Sequence, residues 1–237
     1  MKPPIPSNEA KRLTALHHYR ILDTSAETAY DDITLMASSI CQTPIALMSL
    51  VDSERQWFKA RVGLDTPETP RDHSFCAHTI LGNELLVVED ATVDERFASS
   101  PLVTSDPHIR FYAGAPLIDR KGNALGALCV IDRKPRQMSD QQKASLKALA
   151  RSIIAHLELR RVSAELVDML ADLKTVRGLL PICSYCKGIR NDEGYWNKVV
   201  DYISAHSDVD LSHSVCPACL KTHHPDAYNK LRSEGKA

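Results

Sequence analysis

The chain has 237 residues, enough for one large domain or two smaller ones. Its 43% hydrophobic and 25% charged residues are ordinary for a soluble protein, and a formal net charge of −1 creates no global field toward nucleic acid or an acidic membrane. No run of about 18 apolar residues occurs, so no membrane insertion is expected. The opening "MKPPIPSNEAKRL" lacks the apolar core of an export signal, so a cytoplasmic protein with reduced cysteines is expected.

Along the chain, "DTSAETAYDDITLMASSICQ" begins with the spacing of a capping box, Thr24 to Glu27. Tyr30, Ile33, Met36 and Ile40 follow at helical spacing. "PIALMSLVD" predicts a buried strand, "RQWFKARVG" its hairpin neighbour, and "DSE" the turn between them. A long irregular stretch leads to a third strand in "LLVVED". "HIRFYAGAPLID" and "ALGALCVID" predict two more, joined by the turn signal "RKGN". Both carry small residues (Ala113, Gly114, Ala115, Gly126, Ala127), as a close neighbour or a ligand would require.

A helix then opens on a second capping box, Ser139 to Gln142, with Leu146, Leu149, Ile153 and Leu157 on one face. The phase slips at Leu159, and Leu159, Val162, Leu166, Met169, Leu173, Val176 and Leu180 recur in 3-4 alternation. Flanked by charges, this seam predicts a parallel coiled coil and a homodimer; a helix packed on its own domain has the same signature. Pro181 ends it.

The residues "PIALMSLVDSERQWFKARVGL", "TPRDHSFCAHTI", "LLVVEDATVDERFASSPLV" and "FYAGAPLIDRKGNALGALCVID", in this order of elements, resemble a GAF domain over roughly residues 8 to 158. The resemblance implies an α+β fold, an antiparallel sheet with helices on one face and a small-molecule pocket on the other. Family membership does not name the ligand.

The candidate pocket residues are Trp57, Arg71, His73, Cys76, His78 and Tyr112. Arg71, His73, Cys76 and His78 fall within eight residues, and histidine or arginine can depress a neighbouring thiol's pKa. Ligand, metal or redox sensing through Cys76 is one reading. The other is a short helix in which Phe75 and Cys76 are core and His78 bonds a carbonyl. The order Cys76-Ala77-His78 departs from the Cys-His of bilin-bearing GAF domains. Cys41 and Cys129 are distant in sequence from Cys76, which speaks against the sulfoxide-reducing members of the family.

Near the C-terminus, Cys183 and Cys186 form one C-x-x-C turn, and Cys216 and Cys219 another, with 29 residues between the pairs. Four thiolates at this spacing predict one structural Zn2+ per chain, closed to water, around a helix carrying Trp196, Val199, Val200 and Ile203. Iron, two disulfides, or substitution by His213, His223 or His224 are alternatives. Residues 181–237 balance seven Lys/Arg against seven Asp/Glu, so no nucleic acid is expected as partner. This stretch also resembles a module appended to bacterial receiver, PAS and GAF signalling proteins.

The resulting expectation is a GAF sensory domain (1–158), a signalling coiled coil (159–180), a small zinc-ribbon-like module (181–225) and a tail (226–237). The expected function is a non-catalytic bacterial sensor of a small molecule or redox state, speaking to a downstream signalling protein. The alternatives are a thiol enzyme or redox switch using Cys76 or the four-cysteine cluster, and a structural dimerising adaptor with an empty pocket.

Overall fold

The structure is a computed structural model; it describes residues 2–172, 181–191, 194–206, 211–212 and 214–233, with the backbone alone at 170–172 and 206. The chain divides into two compact units, Met1–Leu166 and Val167–Ala237.

The first unit is built on a six-stranded sheet in the order β3-β2-β1-β6-β5-β4, antiparallel throughout. Its strands are β1 (Ile45–Val51), β2 (Arg55–Val62), β3 (Glu68–Pro70), β4 (Leu86–Val88), β5 (Phe111–Ile118) and β6 (Ala124–Asp132). Strand alternation divides the apolar residues between two layers. Ala46, Met48, Leu50, Leu128 and Val130 face α1 (Glu9–His18), α2 (Thr28–Cys41) and α5 (Asp140–Asp172), meeting Leu16, Tyr30, Ile33, Leu146 and Ile153. Ile45, Leu47, Phe58, Tyr112, Cys129 and Ile131 face α3 (Phe75–Thr79) and the loops around Phe97, Val103 and Ile109. Both faces are therefore covered, and β1 and β6 are buried along their whole length. That is why "PIALMSLVD" reads as a continuous apolar run. Among the described residues, no helix is long and apolar enough to cross a membrane.

Helix α1, where Arg12 and Leu16 are fully buried, was not expected from the sequence. The first capping box does not form. Helix α2 starts behind Glu27, which makes no side-chain cap. Thr24 and Glu27 instead accept from the Lys59 ammonium at 2.8 and 2.7 Å, beside the Ser25 carbonyl at 2.5 Å. The Lys59 side chain is wholly buried, and an unpaired charge there costs more than an uncapped helix end. The apolar stripe of α2 is also rotated from the expected one. Tyr30, Ile33, Ala37 and Cys41 are buried, whereas Met36 and Ile40 are exposed.

The second capping box forms as expected. The Gln142 amide donates to Ser139 Oγ at 3.2 Å, and the Ser139 amide donates to Gln142 Oε1 at 3.1 Å. Leu146, Ile153 and Leu157 of α5 are buried in the core, while Leu159, Val162, Leu166 and Met169 are exposed. Leu173, Val176 and Leu180 lie outside the described residues, so coiled-coil pairing is not shown.

The second unit holds a short hairpin of β7 (Ile189–Arg190) and β8 (Trp196–Asn197), followed by α6 (Val199–His206), α7 (Pro217–His223) and α8 (Pro225–Ser233). Trp196 lies in the hairpin and is exposed, so the expected helical face begins only at Val199. Residues 226–233, expected as the start of the tail, are helical and belong to α8.

Candidate functional site

Helix α3 is only five residues long and is held by its first turn. Ser74 Oγ caps it, accepting from the Ala77 amide at 2.9 Å, and itself donates to Gln56 Oε1 on β2. This fixes α3 across the outer face of the sheet, with Phe75 stacked on Phe97 at 4.0 Å and tilted against Tyr112 at 5.1 Å. Between α3 and the sheet lies a cavity of about 120 Å3. Its walls are largely apolar, from Ile45, Leu47, Phe58, Phe75 and Ile131, and its polar groups come from Gln56, Thr69, Cys76, Tyr112 and Cys129. The exposed Thr66 and Asp106 at its rim connect it with solvent.

Cys76, Cys129 and Tyr112 meet at the cavity wall. The sulfur atoms of Cys76 and Cys129 are 3.6 Å apart. Tyr112 Oη donates to Cys76 Sγ at 3.3 Å and lies 2.6 Å from Thr79 Oγ1. The buried Ser49 hydroxyl contributes a looser contact to Cys76 and has no formed hydrogen bond. Burial disfavours ionisation of both thiols, but the Cys129 thiol and the Tyr112 hydroxyl beside the Cys76 sulfur, with the looser Ser49 contact, favour its thiolate and hold its pKa lower. Its hydrogen bond with Cys76, burial and the Cys76 charge push Cys129 well up. Burial likewise pushes the Tyr112 phenol well up, so it remains a donor.

The small residues of β5 and β6 make this arrangement possible. A Cβ on Gly114 would collide with the Tyr112 hydroxyl and crowd Thr79 Oγ1, and one on Gly126 would collide with the Ser49 carbonyl of β1. Close approach therefore explains these two glycines.

The expected pocket residues separate into several places. Cys76 and Tyr112 line the cavity. Trp57 points to the opposite face of β2 and packs in the core under α2. The buried Arg71 donates to Glu9 Oε1 at 2.6 Å and to the Asp52 carbonyl at 3.0 Å, tying α1 to the β1–β2 turn. Burial raises the Glu9 carboxyl, but hydrogen bonds from Arg12 and Arg71 outweigh it and lower its pKa to about 2. His73 and His78 border a separate surface cleft with Asp72 and Arg96, where His78 lies edge-on to Phe97 at 4.8 Å. Sequence spacing had brought these groups together because it ignores the turn at Arg71–His73, which sends alternate side chains to different sides. The short-helix reading of "SFCAHTI" holds for the backbone and for buried Phe75 and Cys76. Sequence reasoning missed Cys129, Thr79 and Ser49. The available signal was alternation: in "ALGALCVID", Ala127, Cys129 and Ile131 share a face, as do Ile45 and Leu47.

In the second unit, the Cys183 turn is closed by Lys187 N–H to the Cys183 carbonyl at 3.0 Å and Cys183 N–H to the Gly188 carbonyl at 2.9 Å. Backbone amides of Cys186, Tyr185 and Lys187 face the Cys183 sulfur and lower its pKa. Cys216 caps α7, accepting from the Cys219 amide at 3.5 Å, and is lowered in the same way. Each pair thus has amide-supported sulfurs suited to a metal. Among the described residues, however, no group of three or more His, Cys, Asp or Glu side chains is gathered as one metal shell. The four-cysteine shell is not shown. His213 lies outside the described residues, and His223 and His224 are exposed.

This architecture has counterparts among known proteins. Residues 25–157 match the GAF domain description, and the chain belongs to the GAF domain family. A cyclic di-GMP phosphodiesterase of Pseudomonas aeruginosa is 45% identical over 160 residues, which are 67% of this chain and 27% of that protein. The chain therefore spans about a quarter of that relative's length. Among solved structures, the GAF domain of a phosphoenolpyruvate-protein phosphotransferase from Acinetobacter is 18% identical, covering 68% of this chain and 96% of that one, with a TM-score of 0.48. The free methionine-R-sulfoxide reductase of Neisseria meningitidis is 16% identical, covering 65% and 90%, with a TM-score of 0.48. The expectation of a non-catalytic sensor is corrected by the first of these relatives, whose name is that of an enzyme.

Proposed function

We propose that the GAF domain of this chain is a regulatory part of cyclic di-GMP phosphodiesterase machinery and takes a small effector into the cavity beneath α3. The carrying observation is the 45% identity with the Pseudomonas enzyme over 160 residues. The cavity supports a regulatory rather than a substrate-binding role for this domain. At about 120 Å3 it is below the ~300–1,000 Å3 of sites for drug-sized ligands, which favours a small molecule with an apolar body and one polar end over a cyclic dinucleotide. The Tyr112 hydroxyl and Gln56 amide supply the polar contacts at its wall.

The test is the cyclic di-GMP content of cells carrying the wild-type gene, a deletion, and Ile131→Trp, which fills the cavity. Deletion should change the content, and Ile131→Trp should lock it at one extreme while the protein still accumulates. Equal content in all three strains overturns the proposal.

We further propose that the two C-x-x-C pairs of the second unit converge on one structural zinc, and that the exposed Leu159, Val162, Leu166 and Met169 of α5 receive a second copy of the chain. The amide-supported sulfurs of Cys183 and Cys216 support the first. Heptad spacing and exposure of the four apolar side chains support the second. When bound, zinc would supply folding free energy by joining the pairs and no chemistry of its own.

A further inference from the structure

We propose that Cys76 and Cys129 are a redox modification site: a dithiol inside the GAF domain that a small hydroperoxide converts reversibly to a disulfide. The two residues are 53 positions apart in sequence, yet α3 and β6 hold their sulfurs at 3.6 Å. The sulfurs need to close by about 1.5 Å to bond. The moving partner is the five-residue helix α3 rather than the central strand β6, which pairs with β1 on one side and β5 on the other.

Both cysteines are buried, but both line the cavity whose rim reaches solvent. One water needs ~10–15 Å3 of such free space, so a cavity of about 120 Å3 admits hydrogen peroxide beside the sulfurs. Larger oxidants and protein thiols are kept out. That makes the site selective by size.

The chemistry divides the two thiols. Cys76 accepts the Tyr112 hydroxyl hydrogen bond and is the attacking sulfur. It attacks one peroxide oxygen, the O–O bond breaks, and the departing oxygen leaves as water or alcohol with the Cys76 proton. Cys76 becomes a sulfenic acid and the peroxide is reduced. The Cys129 thiol then attacks the sulfenic sulfur. The S–S bond forms, and the S–O bond breaks as hydroxide takes the Cys129 proton to leave as water. Cys129 is placed to intercept the sulfenic acid before a second peroxide oxidises it further. Two molecules of a small thiol that the cavity admits return the pair to the reduced state by exchange and leave as their own disulfide. The disulfide removes the acceptor of the Tyr112 hydroxyl and so alters the cavity wall. The site is independent of which effector the cavity takes.

The test uses the full-length chain treated with hydrogen peroxide, denatured in N-ethylmaleimide and digested with trypsin. A disulfide-linked pair of peptides, 72–96 with 122–133, should become the main form of both cysteines and vanish after phosphine reduction. Cys129→Ala should instead leave Cys76 as sulfenic or sulfinic acid, showing which sulfur attacks first. Cys41, buried and with no thiol contact among the described residues, should carry maleimide throughout. Recovery of Cys76 and Cys129 as maleimide adducts after peroxide overturns the proposal. So does oxygenated Cys76 without the link in the wild-type chain.

Discussion

Tyr112 and Gly114 lie two residues apart on β5, and the hydroxyl of the first occupies the space that a side chain on the second would need. That hydroxyl touches Cys76 and Thr79, so the missing Cβ at Gly114 positions a polar group at the cavity wall. Gly114→Ala should destabilise the chain by about 1–3 kcal/mol through overpacking, measured by urea unfolding. Combining it with Tyr112→Phe should cost less than the sum of the two single changes. Strict additivity would show that the two positions do not compete for one space.

Lys59 is a buried cation whose acceptors come from the residues leading into α2. Lys59→Met keeps the stem but loses three hydrogen bonds to the ammonium, and should cost about 1.5–3 kcal/mol in the same assay. A cost below about 0.5 kcal/mol would mean that solvent replaces these bonds.

Glu9 links folding to pH. Burial raises its carboxyl, but Arg12 and Arg71 outweigh it, so the folded pKa is about 2 against an ordinary value of 4.5. A depressed folded pKa stabilises fully above the unfolded value, and the gain is lost as pH falls from about 4.5 toward 2. Wild type should therefore exceed Glu9→Gln by roughly 2 kcal/mol at pH 6, and the gap should shrink steadily below pH 4.5. A gap that is constant from pH 6 to pH 3 would remove the ion pairs as its cause.

Thiol reactivity should separate the cysteines by place. Burial pushes Cys41 up to about 11, while Cys186, Cys216 and Cys219 are exposed. In chelator at pH 8, iodoacetamide should modify the exposed three rapidly and Cys41 scarcely at all, by peptide mapping. One equivalent of zinc should then protect Cys183, Cys186, Cys216 and Cys219 together. Protection of one pair alone, or of neither, rejects a shared metal.

The exposed heptad residues of α5 predict twice the chain mass of 26.3 kDa in light scattering, and a monomer for the double change Leu159→Asp and Leu166→Asp. A wild-type monomer would leave these side chains without the proposed partner.

Much of the fold was legible because local chemistry repeats it. The run from Ile45 to Val51, the turn before Arg55, the "RKGN" connection and the Ser139–Gln142 box all form where their residue types require. The Thr24–Glu27 box failed although its spacing was equally good, because a buried ammonium from β2 competed for the same two side chains. Met36 and Ile40 were misplaced for a related reason: a helix stripe several residues wide allows more than one face, and packing on the sheet selects among them.

The chain's order of residues was enough to indicate the GAF fold, the short helix at "SFCAHTI" and the two paired-cysteine turns, because each rests on spacing within a short segment. It could not show that Arg71 and Trp57 turn away from the cavity or that Cys129 enters it. Those facts depend on side-chain direction at the crossing of α3 with a sheet whose neighbours are distant in sequence. The meeting of Cys76 with Cys129 is a product of strand register and helix docking, which no local spacing encodes.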